Sequence, residues 1–163
     1  MQTGNSILIQ APRDTIFETA ADLEQWPRIL PHYRYIRYLE RGAERNLVEM
    51  AALRSGIPVS WISEQEIDRE KMEVRFHHLK AFTRGMRVVW TFTETPAGVL
   101  VEIVHVLRFR IPALAPIFEP VIGNFFIHHI ANLTLRAMKA HLEERAQSRP
   151  ISAQPNEQRS FAR

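Results

Sequence analysis

From Tyr33 to Arg110 apolar and polar positions alternate in short runs separated by turn-forming residues, the pattern of successive β-strands. The runs are Tyr33–Glu40, closed by Arg41-Gly42-Ala43, then Asn46–Arg54, closed by Ser55-Gly56, and Val59–Asp68. Met72–Leu79 follows, then a loop over 80–85, Met86–Thr95, a turn at Pro96-Ala97-Gly98, and Val99–Arg110. Hairpin-length connections predict an antiparallel meander. Alternation is clearest in the last run, where Val101, Ile103, His105 and Leu107 share one face and Glu102 and Arg108 take the other.

Before the meander, Ser6–Gln10 reads as an opening strand. Pro12 suits a helix start, and Ile16, Phe17, Ala20 and Leu23 recur at helical spacing. Two short helices around Asp22 are predicted, with Asp22 as a cap, and Pro27 and Pro31 return the chain to extended structure. After the meander, a long helix is predicted from about Pro116 to Ala146. Ile127, Ala131, Leu135, Met138 and Leu142 form its apolar stripe, and Arg136, Lys139, Glu143 and Arg145 form its wet side.

That stripe needs an apolar surface to cover, and the sheet face supplies it. The fold class predicted is therefore α+β: a curved antiparallel sheet of about seven strands wrapped around a long C-terminal helix, with two short helices after the first strand. The domain spans 1–147, and the composition of 148–163 predicts a disordered tail. A sheet wrapped around one helix tends to leave a concave, mostly apolar space, the usual setting for a small-molecule site.

Composition removes several alternatives. The chain has no cysteine, which excludes disulfides, thiolate metal sites and cysteine nucleophiles. Its net charge is only +3, carried by 18 Arg and 3 Lys interleaved with acids, so no nucleic-acid footprint is expected. The start lacks a signal-peptide pattern, and a cytoplasmic protein is expected. The stretch Ile111–Ile130 is apolar, but Pro112, Pro116, Pro120 and Glu119 argue against stable membrane insertion, leaving at most transient contact. A monomer or a homodimer is compatible with the sequence.

Chemistry-bearing motifs are few. His77-His78 on a strand point to opposite faces, and His128-His129 on a helix diverge by roughly 100°, so neither pair suits one metal. No metal and no cofactor is expected. Asn132-Leu133-Thr134 matches a glycosylation sequon but falls in the predicted helix. There is no P-loop, GxSxG or GxGxxG motif. His105 shares the inward face of its strand, either as a core histidine or as a polar group in a pocket with a near-neutral pKa.

The run APRDTIFETAADLEQWPRILPHYRYIRYLE, with SWISEQEID, MRVVWTF and LRAMKAHLE, resembles the polyketide cyclase and START-like, helix-grip superfamily over residues 6–145. The resemblance implies a helix-grip fold and a pocket for an apolar or aromatic molecule such as a polyketide, quinone or lipid. It implies pocket positions at Trp26, Tyr33, Trp61, Ser63, Met86 and Trp90. It also sets Gln65 where cyclases of this kind carry an arginine, and His77 where they carry a second one. A neutral amide cannot supply the fixed charge that stabilises an enolate. At the strand Met72–Leu79 the resemblance favours His77 as the inward residue, whereas alternation favours His78. With Ile103 and His105 added from the last strand, these residues are the expected ligand-binding set. Three functions stay open: a binding or transport protein for an apolar ligand, an aromatase/cyclase-like enzyme, and a protein-interaction module with a vestigial cavity.

Overall fold

A computed structural model of the chain describes residues 1–81, 83–107 and 127–148. Its order is β1 (Gln2–Ile9), α1 (Arg13–Ala21), α2 (Trp26–Ile29), β2 (Tyr33–Arg41), β3 (Arg45–Arg54), β4 (Ile57–Asp68), β5 (Glu73–His78), β6 (Arg87–Thr95), β7 (Gly98–Val106) and α3 (His128–Gln147). The strands form one antiparallel curved sheet in the order β1-β7-β6-β5-β4-β3-β2, so every neighbour except β1 is a hairpin neighbour. The predicted fold is the one observed: a seven-stranded open sheet gripping a C-terminal helix.

Pleating sorts the side chains. Val48, Met50 and Ala52 of β3, Trp61, Ser63, Gln65 and Ile67 of β4, Val74, Phe76 and His78 of β5, Val88, Trp90 and Phe92 of β6, and Val99, Val101, Ile103 and His105 of β7 all point inward and are buried. Helix α3 lays Ala131, Leu135, Met138 and Leu142 over that face, as its stripe predicts. Its Lys139 Nζ donates to Leu8 O at 2.6 Å, covering the outer edge of β1.

Short connections hold the curvature. Gly98 closes the β6–β7 hairpin at φ +128°, and a Cβ there would lie 2.9 Å from Ile9 O, so the turn accepts only glycine without strain. Asp22 is not the N-cap of the second helix. It is the C-cap of α1, and its carboxylate accepts from Glu24 N–H at 3.1 Å and Gln25 Nε2 at 2.8 Å. That Asx turn aims α2 back across the sheet. Strand β1 begins four residues earlier than alternation suggested. Its first half faces the polar start of α3 rather than an apolar core, so the apolar signal is missing there. Residues 108–126, the expected end of the last strand and start of the long helix, and the tail over 149–163 lie outside the described residues.

Candidate ligand cavity between the sheet and the C-terminal helix

The inner face of the sheet has two halves, and α1 fills one of them. Phe17 meets Phe92 edge-on at 5.7 Å, and Ile16, Phe17 and Ala20 are fully packed. Gln65 lies under this half with no exposed surface. Its Nε2 donates to Ala21 O at 2.8 Å, and its Oε1 accepts from Asn46 Nδ2 at 2.9 Å. The amide thus ties the free C-terminal carbonyl of α1 to β3. Gln65 faces the interior, as expected of a pocket position, but it lies outside the cavity lining because its hydrogen bonds are spent on the scaffold. Gln65→Leu should therefore lower stability by about 2–3 kcal/mol, since it strands two buried polar groups. It should leave the affinity for an apolar ligand unchanged. Urea denaturation and a binding titration on the same variant check both halves of this expectation.

The other half is left open beneath the first turns of α3. There a cavity of about 80 Å³, the volume open to the centre of a water molecule, holds several waters' worth of space. Its floor is Met50, Trp61, Phe76, Val88, Trp90 and Ile103, its side wall Trp26 and Tyr33, and its roof Ile127, Ile130, Ala131 and Thr134. Trp26 holds the wall together. Its ring meets Tyr33 at 5.2 Å, Trp90 at 5.7 Å and Phe76 at 6.2 Å, and its Nε1 donates to Thr19 O at 3.1 Å.

Of the expected positions, Trp26, Tyr33, Trp61, Met86, Trp90, Ile103 and His105 are brought together around this one cavity. Ser63 points inward between Trp61 and Gln65, is fully buried and has no hydrogen-bond partner for its Oγ, but does not line the space. His77 is the correction. It is exposed, and His78 takes the inward position because β5 pairs with β4 and β6 without a bulge and keeps strict alternation. His78 stacks flat on Trp61, with centroids 5.7 Å apart and planes 4° apart, and its Nδ1 shares a hydrogen with Thr83 Oγ1 at 2.8 Å. His78 was legible from alternation. Thr83 was not, because the loop over 79–86 places it through Gly85 N–H to His78 O and Met86 N–H to Thr83 O. Thr134, inside the discarded sequon, is also roof, one turn beyond Ile130 on α3.

The polar groups of the cavity are neutral at physiological pH. Burial, reinforced by His105 and His77, lowers the pKa of His78 to about 3, and burial, reinforced by His128, lowers that of His105 to about 4. Burial raises the pKa of the Tyr33 hydroxyl, partly offset by a hydrogen bond with Thr134. No Asp, Glu, Lys or Arg is among the described lining residues. A second, wider groove of about 220 Å³ lies between α1 and β2. Its cations Arg41 and Arg69 are exposed and paired with Glu24 and Glu18, so it offers solvated ion pairs rather than a built site. Among the described residues no group of three or more His, Asp or Glu is placed to hold a metal, and no helix is long and apolar enough to cross a membrane.

The sequence pattern of the family described as "Polyketide cyclase / dehydrase and lipid transport" matches residues 9–134. A Streptomyces halstedii protein named "Putative polyketide cyclase" is 34% identical over 103 residues, which cover 61% of this chain and 94% of that one. Among solved structures, the Zhui aromatase/cyclase of Streptomyces sp. R1128 is similar at TM-score 0.79 and 17% identity, over 91% of this chain and 96% of that one. A START superfamily protein from Mycobacterium smegmatis is similar at TM-score 0.69 and 12% identity, over 88% of this chain and 97% of that one. At those identities the two structures speak for the fold alone, and the family rests on the sequence. The chain belongs to the polyketide cyclase / dehydrase and lipid transport family.

Proposed function

We propose that this chain binds a flat, uncharged apolar or aromatic small molecule, of the polyketide or quinone kind, in the cavity between the sheet and α3. The observation that carries this is the make-up of the lining: aromatic rings on floor and wall, with neutral polar groups and no charged side chain among the described residues. Such a lining strengthens dispersion and ring stacking and penalises a carboxylate or an ammonium group, which would lose its hydration without gaining a partner. A small flat quinone such as menadione, titrated while tryptophan fluorescence is followed, is expected to quench saturably with one site per chain. Trp61 is the floor ring that stacks on His78 and retains some exposure, so Trp61→Ala should weaken that binding at least tenfold. Linear, non-saturating quenching, or unchanged affinity in Trp61→Ala, would remove this reading.

One observation favours a second reading, an aromatase/cyclase-like enzyme. The Nδ1 of His105 has no protein partner, and His105 lines the cavity from β7, which suits a group that exchanges a proton with a bound ketone or enol. Against efficient catalysis, the described lining residues offer only neutral donors to meet developing enolate charge, and a missing oxyanion donor typically costs 10²–10³-fold in rate. Turnover of a synthetic poly-ketone above its spontaneous cyclisation, abolished in His105→Phe, would place the enzyme reading first.

A further inference from the structure

Strands β1 and β7 carry a polar patch that the folded chain leaves unsatisfied. Thr3 is paired directly with His105, and Asn5 with Ile103, so Thr3, Asn5 and His105 are adjacent on the inner face. Asn5 is 6% exposed and His105 8%. Three atoms here are buried without a hydrogen-bond partner: Thr3 Oγ1, Asn5 Oδ1 and His105 Nδ1. Buried polar atoms are nearly always paired, and three unpaired neighbours are costly unless something fills the gap between them.

The chemistry of the three atoms selects the filler. The orientation of the Asn5 amide is set by the backbone carbonyl of His128, a pure acceptor, to which its Nδ2 donates at 3.2 Å, and Nδ2 also donates to Asn132 Oδ1 at 2.9 Å, with His128 Nδ1 at 3.0 Å. Its Oδ1 is therefore a fixed acceptor in search of a donor. A ketone oxygen would satisfy Thr3 and His105 but leave Asn5 Oδ1 empty, and a carboxylate would be repelled by it. A hydroxyl group answers all three, since it donates once, to Asn5 Oδ1, and has two lone pairs to accept from Thr3 and from the His105 ring. His105 and Ile103 line the cavity, and their β1 partners Thr3 and Asn5 stand directly beside that lining at the β1–β7 side.

We propose that Thr3, Asn5 and His105 form a hydroxyl-binding subsite that takes a phenolic or enolic OH of the ligand. The inference rests on the binding function proposed above, and it narrows the ligand to one carrying a hydroxyl at the end that meets β1. The other source of the same chemistry is a resident water molecule. The two are separated by a size-matched pair of probes, 2-naphthol and 2-methylnaphthalene, titrated against the wild-type protein and Thr3→Val. The hydroxyl of Thr3 has no protein partner, so valine should leave the melting temperature unchanged or slightly raised. The wild type is expected to prefer 2-naphthol by roughly tenfold, one or two hydrogen bonds' worth. In Thr3→Val that preference should fall several-fold while the affinity for 2-methylnaphthalene holds, and His105→Phe should reduce the preference in the same way. No preference in the wild type would mean a water site only and would overturn the subsite while leaving the binding function intact. A preference that survives both substitutions would overturn it too. Failure of both probes to bind would strike the binding function itself.

Discussion

Trp26→Ala is expected to cost about 3–5 kcal/mol of unfolding free energy, measured by urea or guanidinium denaturation, and to be the most damaging single truncation in the cavity wall. Trp26 is 2% exposed, meets three other rings and spends its indole N–H on the carbonyl of Thr19. It also joins α1, α2 and the sheet, so no neighbour can collapse into the space without moving an element. Trp61 is the contrasting case. It is 9% exposed, and besides the stacked His78 its ring partner is Tyr33 at 6.2 Å. Trp61→Ala should cost less than half as much in stability yet abolish most of the ligand affinity. Equal losses of stability would mean that Trp61 is core and that the cavity floor is not a binding surface.

Acid should weaken the protein well before its carboxylates titrate. His78 and His105 have pKa values lowered from 6.5 to about 3 and about 4, chiefly by burial. The sign follows from proton counting: below 6.5 the unfolded chain binds protons that the folded chain refuses, so unfolding becomes easier as pH falls. The stability contributed by the neutral rings is fully present above pH 6.5 and is lost progressively down to the folded-state values. At pH 5 the loss is on the order of 2 kcal/mol for each of the two rings. A series of denaturation curves from pH 7.5 to 5 should show this slope, and His78→Gln with His105→Gln should reduce it, leaving the share of His32, whose pKa burial also lowers to about 4. A wild-type stability that is level over that range would show that water or a counter-charge reaches these rings. Ligand affinity of the folded protein should hold over the same range, because both rings stay neutral in the folded chain until the pH approaches 4.

How much of this could be read from the sequence depended on how far each choice was local. Strand order, hairpin turns and the stripe of α3 follow from side-chain periods, and the strand limits agree with the structure to within two residues except at the start of β1 and at the end of the last strand, whose expected limit Arg110 lies outside the described residues. The aromatic wall was legible because Trp26, Trp61 and Trp90 sit in the runs by which the chain resembles the family. The positions that misled were those where a long-range partner decides the role. Gln65 has an inward position on β4, but Ala21 and Asn46, distant in the chain, claim its amide. At His77-His78 the resemblance pointed one way and pleating the other, and the regular pairing of β5 with both neighbours gave pleating the decision. Thr3 and Asn5 carried no signal at all, because a polar residue in a polar run looks exposed until α3 covers it.

The central claim, that an apolar ligand occupies the space beneath α3, is tested most directly by methyl NMR on methionine-labelled protein titrated with 2-naphthol. The chain has five methionines, which sit at different depths. Met50 and Met86 line the cavity, whereas Met72 lies at the β4–β5 turn, away from it. The account predicts saturable shifts of the Met50 and Met86 methyls, with a common dissociation constant, while Met72 stays in place. Shifts confined to Met72, or no saturable change at Met50 and Met86, would contradict it.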